Sequence, residues 1–155
     1  MENHKNFITI YTLGYEGLQI DEYIQKLKEK EIKILIDVRK NPISRKNGFS
    51  KTKFSKKLND NGIEYFHLPK LGIESSLRKS LNIKNPETYE ELFYYYDNVI
   101  IPSAKDSINS IESLAKENNK IALTCFENNS YYCHRSRITN KIKDNKALSL
   151  VIQHI

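Results

Sequence analysis

Cys133, His134 and Arg135 stand consecutively, and each brings a different chemistry. A cysteine serves as a nucleophile or a soft metal ligand. A histidine moves protons near neutral pH or binds metal. An arginine presents a planar fork that grips phosphate or carboxylate. Just upstream lie a second thiol, Cys125, and the acid Glu127. Other reactive side chains follow apolar runs elsewhere in the chain: Tyr15 and Glu16 after the first, Asp37 and Arg39 at the end of the second, then Ser44 and Arg45 beyond Pro42, and His67 at the end of the third.

Three kinds of chemistry suit this inventory. In the first, Cys133 is a thiolate nucleophile with His134 or His67 as its base, and Arg39, Arg45 and Arg135 hold an anion. In the second, Cys125, Cys133, His134 and His67 bind a metal, for which zinc or iron would be suited. Their spacing is not the paired CxxC of a common zinc site. In the third, Glu16, Asp37 and Glu127 act as general acid or base while the arginines grip phosphate. Tyr15 and Ser44 complete the candidate substrate contacts.

Such residues work together only if the fold gathers them. Phe7 to Leu13 is rich in β-branched and aromatic residues and ends at Gly14, which predicts a strand. The spacing of Ile20, Tyr23, Ile24 and Leu27 predicts a helix over Leu18 to Lys30. Ile32 to Val38 predicts a strand buried on both faces. Arg39 to Ser50 is a polar loop. Ser50 is a suitable cap and Gly62 a suitable stop for a helix over Lys51 to Asn61. A strand follows over Ile63 to Leu68, then a long loop with room for a short helix over Pro69 to Asn85. Pro86 to Asn118 reads as helix, broken or kinked by Pro102. Lys120 to Cys125 is a strand, Glu127 to Cys133 a loop, His134 to Lys146 a helix, and Leu148 to His154 a last strand. The alternation of strand and helix predicts a single α/β domain with a mostly parallel sheet flanked by helices. Ligands of such sheets bind beyond the carboxyl ends of the strands, where every reactive cluster named above falls.

Composition narrows the function classes. The 155 residues suffice for one domain with its own core. With 39% hydrophobic and 28% charged residues, the chain is globular in character rather than disordered. No apolar run approaches a membrane span and the polar start has no secretory core, so the expected setting is the cytoplasm, with both thiols reduced and no membrane partner. A net charge of +6 favours anionic partners. Lys51, Lys53, Lys56 and Lys57 crowd one short helix, which would suit nucleic acid. Tyr89, Phe93, Tyr94, Tyr95 and Tyr96, with Tyr131 and Tyr132, offer rings on which bases could stack. No oligomeric state is specified.

The motifs together resemble one family. Thr12-Leu-Gly-Tyr-Glu-Gly17, Asp37-Val-Arg-Lys-Asn-Pro-Ile-Ser-Arg45, Gly48-Phe-Ser-Lys51, Gly62-Ile-Glu-Tyr-Phe-His-Leu-Pro-Lys-Leu-Gly72 and Cys125-Phe-Glu with Cys133-His-Arg135 are similar, in this order, to the DUF488 family of small prokaryotic proteins without an assigned function. The resemblance implies one α/β domain and a site built from these motifs, and implies no reaction. The chain departs from the family pattern at Ile73, where a second glycine is common, and at Ser130-Tyr-Tyr132, where a proline is common.

The expectation is therefore an enzyme that acts on a nucleic acid, nucleotide or other phosphate-bearing substrate. Cys133, His134, Glu127, Asp37, Glu16 and His67 would carry the chemistry, and Tyr15, Arg39, Ser44, Arg45 and Arg135 would bind. A non-catalytic nucleic-acid-binding or regulatory module and a domain with a structural Cys/His metal site are the alternatives.

Overall fold

A computed structural model describes residues 7–80 and 86–155. Five strands form one all-parallel sheet: β1 (Ile8–Gly14), β2 (Ile34–Asp37), β3 (Glu64–His67), β4 (Lys120–Cys125) and β5 (Leu150–His154), in the order β3-β2-β4-β1-β5. Helix α1 (Ile20–Glu29) connects β1 to β2, and α2 (Lys51–Asp60) connects β2 to β3. Between β3 and β4 run a 3-10 turn (Pro69–Leu71), α3 (Ser75–Ser80), α4 (Pro86–Tyr95), a π turn (Tyr96–Ile100), α5 (Ile101–Ser103) and α6 (Lys105–Asn118). A second 3-10 turn (Ser130–Tyr132) and α7 (Arg135–Lys143) lead from β4 to β5.

Strand periodicity divides the core into two layers. Ile8 and Ile10 of β1, with Ile121 and Leu123 of β4, pack beneath Ile108 and Ile111 of α6 and Ile138 and Ile142 of α7. Tyr11, Leu13 and Ala122 face the other way, onto Tyr23, Ile24 and Leu27 of α1 and Phe54 and Leu58 of α2. The central strand β2 is buried throughout, as its uninterrupted apolar run requires.

The long helical stretch ends its first part where expected. Pro102 lies in the first turn of α5, where its missing N–H is no loss, and the π turn ends just before that helix. The full break falls at Ala104, which leaves helical geometry at φ −110° and ψ 27°. Other boundaries move inward by two or three residues: β2 begins at Ile34 rather than Ile32, α7 ends at Lys143 rather than Lys146, and β5 begins at Leu150 rather than Leu148. The long loop after β3 contains both the 3-10 turn and α3, and its residues 81–85 lie outside the described part.

Two expectations about α2 come out differently. Gly62, just past the helix, takes the left-handed φ of +74° that a helix stop asks of glycine. Ser50 occupies the cap position but makes no side-chain bond to the helix. Its hydroxyl instead donates to the Ser44 carbonyl and accepts from the Ser44 amide, so it ties down the loop that enters α2.

The strand order creates a crevice. β1 and β4 are neighbours, yet β1 sends its chain into α1 on one face while β4 sends its chain into α7 on the other. Where adjacent strands diverge in this way, a cleft opens at their carboxyl ends. Among the described residues no helix is long and apolar enough to cross a membrane.

Candidate active site

Parallel register places the ends of the inner strands side by side. Gly14 pairs with Cys125, Asp37 with Thr124, and Asp37 with His67. The pairing continues beyond β1, because the Tyr15 amide donates to the Cys125 carbonyl (3.2 Å) and the Glu16 amide to that of Phe126 (2.8 Å). Gly14 makes this approach available. A Cβ there would stand 1.7 Å from the Glu127 carbonyl oxygen.

Asp37 and Arg39 form the scaffold of the crevice. Asp37 is fully buried, and both its oxygens are engaged by the Arg39 guanidinium, at 2.9 Å from Nε and 2.7 Å from Nη2. The Arg39 amide (3.1 Å) and the Tyr65 hydroxyl (2.5 Å) also donate to it. The remaining Arg39 nitrogen, Nη1, donates to the Phe49 carbonyl at 2.7 Å and to the Tyr15 hydroxyl at 3.4 Å. Burial opposes the charge on Arg39, but the hydrogen bonds and charge of Asp37 outweigh it and push its pKa further up. Burial, reinforced by the Asp37 carboxylate, also raises the Tyr65 phenol, so it remains a donor. With its guanidinium engaged in this way, Arg39 anchors the Pro42 loop to β2.

The sulfur centre lies at the end of β4 and the start of α7. His134 Nε2 lies 2.9 Å from the Val38 carbonyl oxygen, which can only accept, so Nε2 carries the hydrogen. Its Nδ1 faces Cys133 Sγ at 3.8 Å. The ring of Tyr96 packs on the imidazole at 5.5 Å between centroids, and the Tyr96 hydroxyl donates to the Leu71 carbonyl at 2.6 Å. Arg135 directs two donors at the same sulfur, Nε at 3.2 Å and the backbone amide at 3.5 Å. Its Nη2 donates to the Glu127 carbonyl at 2.5 Å, while Nη1 is buried without a hydrogen-bond partner. Burial lowers the Arg135 pKa below its ordinary value, yet a guanidinium remains a cation. No Arg135 ion pair with a carboxylate occurs among the described residues.

Cys125 sits on the crevice side of this centre, and its thiol donates to Glu127 Oε2 at 3.1 Å. The Cys125 and Cys133 sulfurs meet, although their Cα atoms are 7.6 Å apart. The structure thus pairs the two cysteines and leaves no described cysteine free, where two separate reduced thiols were expected. The spacing is wider than the roughly 4.4–6.8 Å of a relaxed disulfide, and in the reduced protein these are two facing thiols. Cys125 also lines a cleft of about 160 Å³ with Tyr15, Arg39, Lys40, Asn41 and Ser75. A void of about 20 Å³, room for one water, lies against His134, Glu127 and Tyr132.

The remaining expected residues are placed apart from the sulfurs. Glu16 is exposed, and its carboxylate accepts from the Asn128 amide at 2.9 Å, holding the loop after β4. Ser44 accepts from the Lys46 amide at 3.1 Å, and Arg45 is exposed on the loop before α2. His67 Nε2 bonds the Arg39 carbonyl oxygen at 2.8 Å and stands apart from Cys125, Cys133 and His134, whose possible ligand atoms lie within 4.8 Å of one another. Of the four candidate ligands read from the sequence, three come together and His67 does not, because the β3 position turns its imidazole toward the β2 loop. Tyr65 and Tyr96 were not singled out for this site. Tyr65 was legible in principle, since it lies two residues before His67 and the pairing of Leu35 with Tyr65 sets it diagonal to Asp37. Tyr96 carried no such signal.

Near Arg135, the edge-strand residue His154 contacts Thr12 Oγ1 through Nδ1. Partial burial, and then the Arg135 charge, lower its pKa from 6.5. A base depressed in the folded state is protonated first in the unfolded chain. Its contribution to stability is therefore complete above the unfolded value and is lost as pH falls below it. His154 is exposed, so the effect is under about 1 kcal/mol. The loss of Tm on going from about pH 7 to about pH 5 is expected to be smaller in His154→Asn than in the wild type. An equal loss in a thermal melt would refute this.

Fold and site together define a doubly wound parallel α/β protein with an acid, cysteine, histidine and arginine centre at its switch crevice. Residues 19–142 match the family described as Domain of unknown function DUF488, so the chain belongs to that family. The Thr12–Gly17 motif falls just ahead of the matched region. No curated protein and no solved structure matches the chain.

Proposed function

We propose that this protein is an enzyme acting on a nucleic acid, nucleotide or other phosphate-bearing substrate, with Cys133 as its nucleophile. The observation that carries this reading is the contact of Cys133 Sγ with the buried Arg135 guanidinium, Nε at 3.2 Å. A buried cation is costly in a low-dielectric interior; the nearby Glu127 charge favours it, and an anionic sulfur 3.2 Å away would offset the cost further. Arg135 and the first amide of α7 thus favour the reactive thiolate. His134, its ring oriented by the Val38 carbonyl, accepts the thiol proton and returns it to the leaving group. Glu127 engages Cys125, the sulfur nearest the cleft.

The surroundings support an anionic substrate with rings. Lys40 lines the cleft, and Lys46 reaches the Tyr15 carbonyl at 3.4 Å. Tyr131 and Tyr132, exposed on the loop before Cys133, form an aromatic cluster with Tyr89 and Phe93 on which bases can stack. The alternative of a pure binding module through α2 is weaker, because Lys56 is paired with Asp60 and Lys57 with Asp21. The cytoplasm, where both thiols remain reduced, is the setting this reading needs.

Cys133→Ser is expected to keep the circular dichroism spectrum of the wild type. It should lose at least about a hundredfold in turnover on whichever member of a panel of nucleotides, phosphoesters and single-stranded nucleic acids the wild type processes. Full activity in this variant would remove Cys133 from the mechanism.

A further inference from the structure

We propose that Cys125, Cys133 and His134 form a binding site for one thiophilic divalent cation of the zinc class. Their ligand atoms all lie within 4.8 Å of one another, and all three residues are buried. The 3.8 Å between Cys133 Sγ and His134 Nδ1 is close to the edge of a tetrahedron with arms of about 2.0–2.3 Å, the bond lengths zinc makes to nitrogen and sulfur. The Cα spacing of 7.6 Å is wider than the roughly 4.4–6.8 Å of a relaxed disulfide, so in the reduced protein the two sulfurs, which touch here, are free to separate by side-chain rotation and take an ion between them.

The groups around these three residues match what a metal site needs. His134 donates its other ring hydrogen to a backbone carbonyl, that of Val38, which presents Nδ1 to the sulfurs with its lone pair outward in the neutral form. Cys133 Sγ receives hydrogen bonds from the Arg135 amide and guanidinium, which stabilise a coordinated thiolate. Glu127 Oε2, 3.1 Å from Cys125 Sγ, adds an oxygen donor at the edge of the cluster. Two thiolates and one imidazole around a divalent ion form a neutral unit, and binding releases the thiol protons to solvent. The ion enters from the cleft that Cys125 lines.

Coordination ties up the lone pairs with which Cys133 would attack. The metal-loaded and metal-free proteins are then an unreactive and a reactive form of one centre. This consequence rests on the reading of Cys133 as nucleophile above, whereas ion binding itself does not.

The test uses reduced, chelator-treated full-length protein titrated with Co²⁺ and, in competition, with Zn²⁺. The expected result is about one Co²⁺ per chain, with strong ultraviolet thiolate-to-cobalt absorption that Zn²⁺ abolishes. Cys125→Ser and His134→Asn, each verified to fold by circular dichroism, should weaken binding by at least about tenfold. Zn²⁺ should also block alkylation of Cys133 by iodoacetamide, read by peptide mass spectrometry. Absence of the thiolate band, or a band that survives both substitutions, would overturn the proposal. Failure here together with loss of turnover in Cys133→Ser would leave the enzyme reading standing. Cobalt binding with full turnover in Cys133→Ser would do the reverse.

Discussion

Asp37→Ala is expected to lose about 3–5 kcal/mol of folding stability, the cost of leaving one member of a buried ion pair without its partner. Asp37 is fully buried, and with it go both carboxylate bonds to Arg39 and the bond from Tyr65. Arg39, itself 8% exposed, would then be a guanidinium in the core with only the Phe49 carbonyl and the Tyr15 hydroxyl left to it. A loss of that size is a large part of the roughly 5–15 kcal/mol that holds a domain together. It corresponds to a fall in Tm of roughly 6–20 °C for a chain of this length. The double variant Asp37→Ala with Arg39→Met should recover part of the loss, since it removes the orphaned cation and keeps the apolar stem. A single variant within about 1 kcal/mol of the wild type would show that solvent reaches this pair and would contradict its role as the anchor of the crevice.

Gly14→Ala is expected to have the second largest effect, and to reach the sulfur centre. The added Cβ would stand 1.7 Å from the Glu127 carbonyl oxygen and 2.4 Å from its carbon. These are backbone atoms, so relief requires the loop after β4 to move. Forcing extra volume into a packed contact costs about 1–3 kcal/mol and sometimes more. The same carbonyl accepts the 2.5 Å bond from Arg135 Nη2, so the displacement is transmitted to the guanidinium beside Cys133. The expected outcome is a fall in Tm of several degrees, with faster hydrogen exchange in residues 126–133. Gly17→Ala is the control. It meets nothing within 4 Å and suffers only from its φ of +82°, a cost of about 1 kcal/mol. Equal effects at the two positions would refute the packing argument.

Much of the candidate site could be located before any coordinates. The parallel sheet follows from alternating strand and helix patterns, and the rule for ligand position in such sheets then selects one end of each strand. Asp37, His67 and Cys125 do close β2, β3 and β4, and Tyr15 follows β1 directly. The roles of individual side chains were less legible. Arg39 looks like an anion grip from spacing alone, but its guanidinium is engaged by Asp37, Phe49 and Tyr15. Arg135 looks like one arginine among several, but among the described residues it alone has a buried nitrogen with no hydrogen-bond partner. His67 looks like a metal ligand, but its ring turns to the Arg39 carbonyl.

By itself, then, the sequence determined the elements and the end of the sheet at which chemistry collects. Those depend on neighbours two to four residues apart and on where glycine and proline interrupt them. Only the tertiary structure decided that β1 lies beside β4, that Cys125 meets Cys133, and that Arg135 rather than Arg39 faces the sulfur. Strand order is set by which complete packing buries both faces of the sheet. A guanidinium's partners are set by whichever acceptors that packing leaves within reach, and neither is encoded in any short stretch of chain.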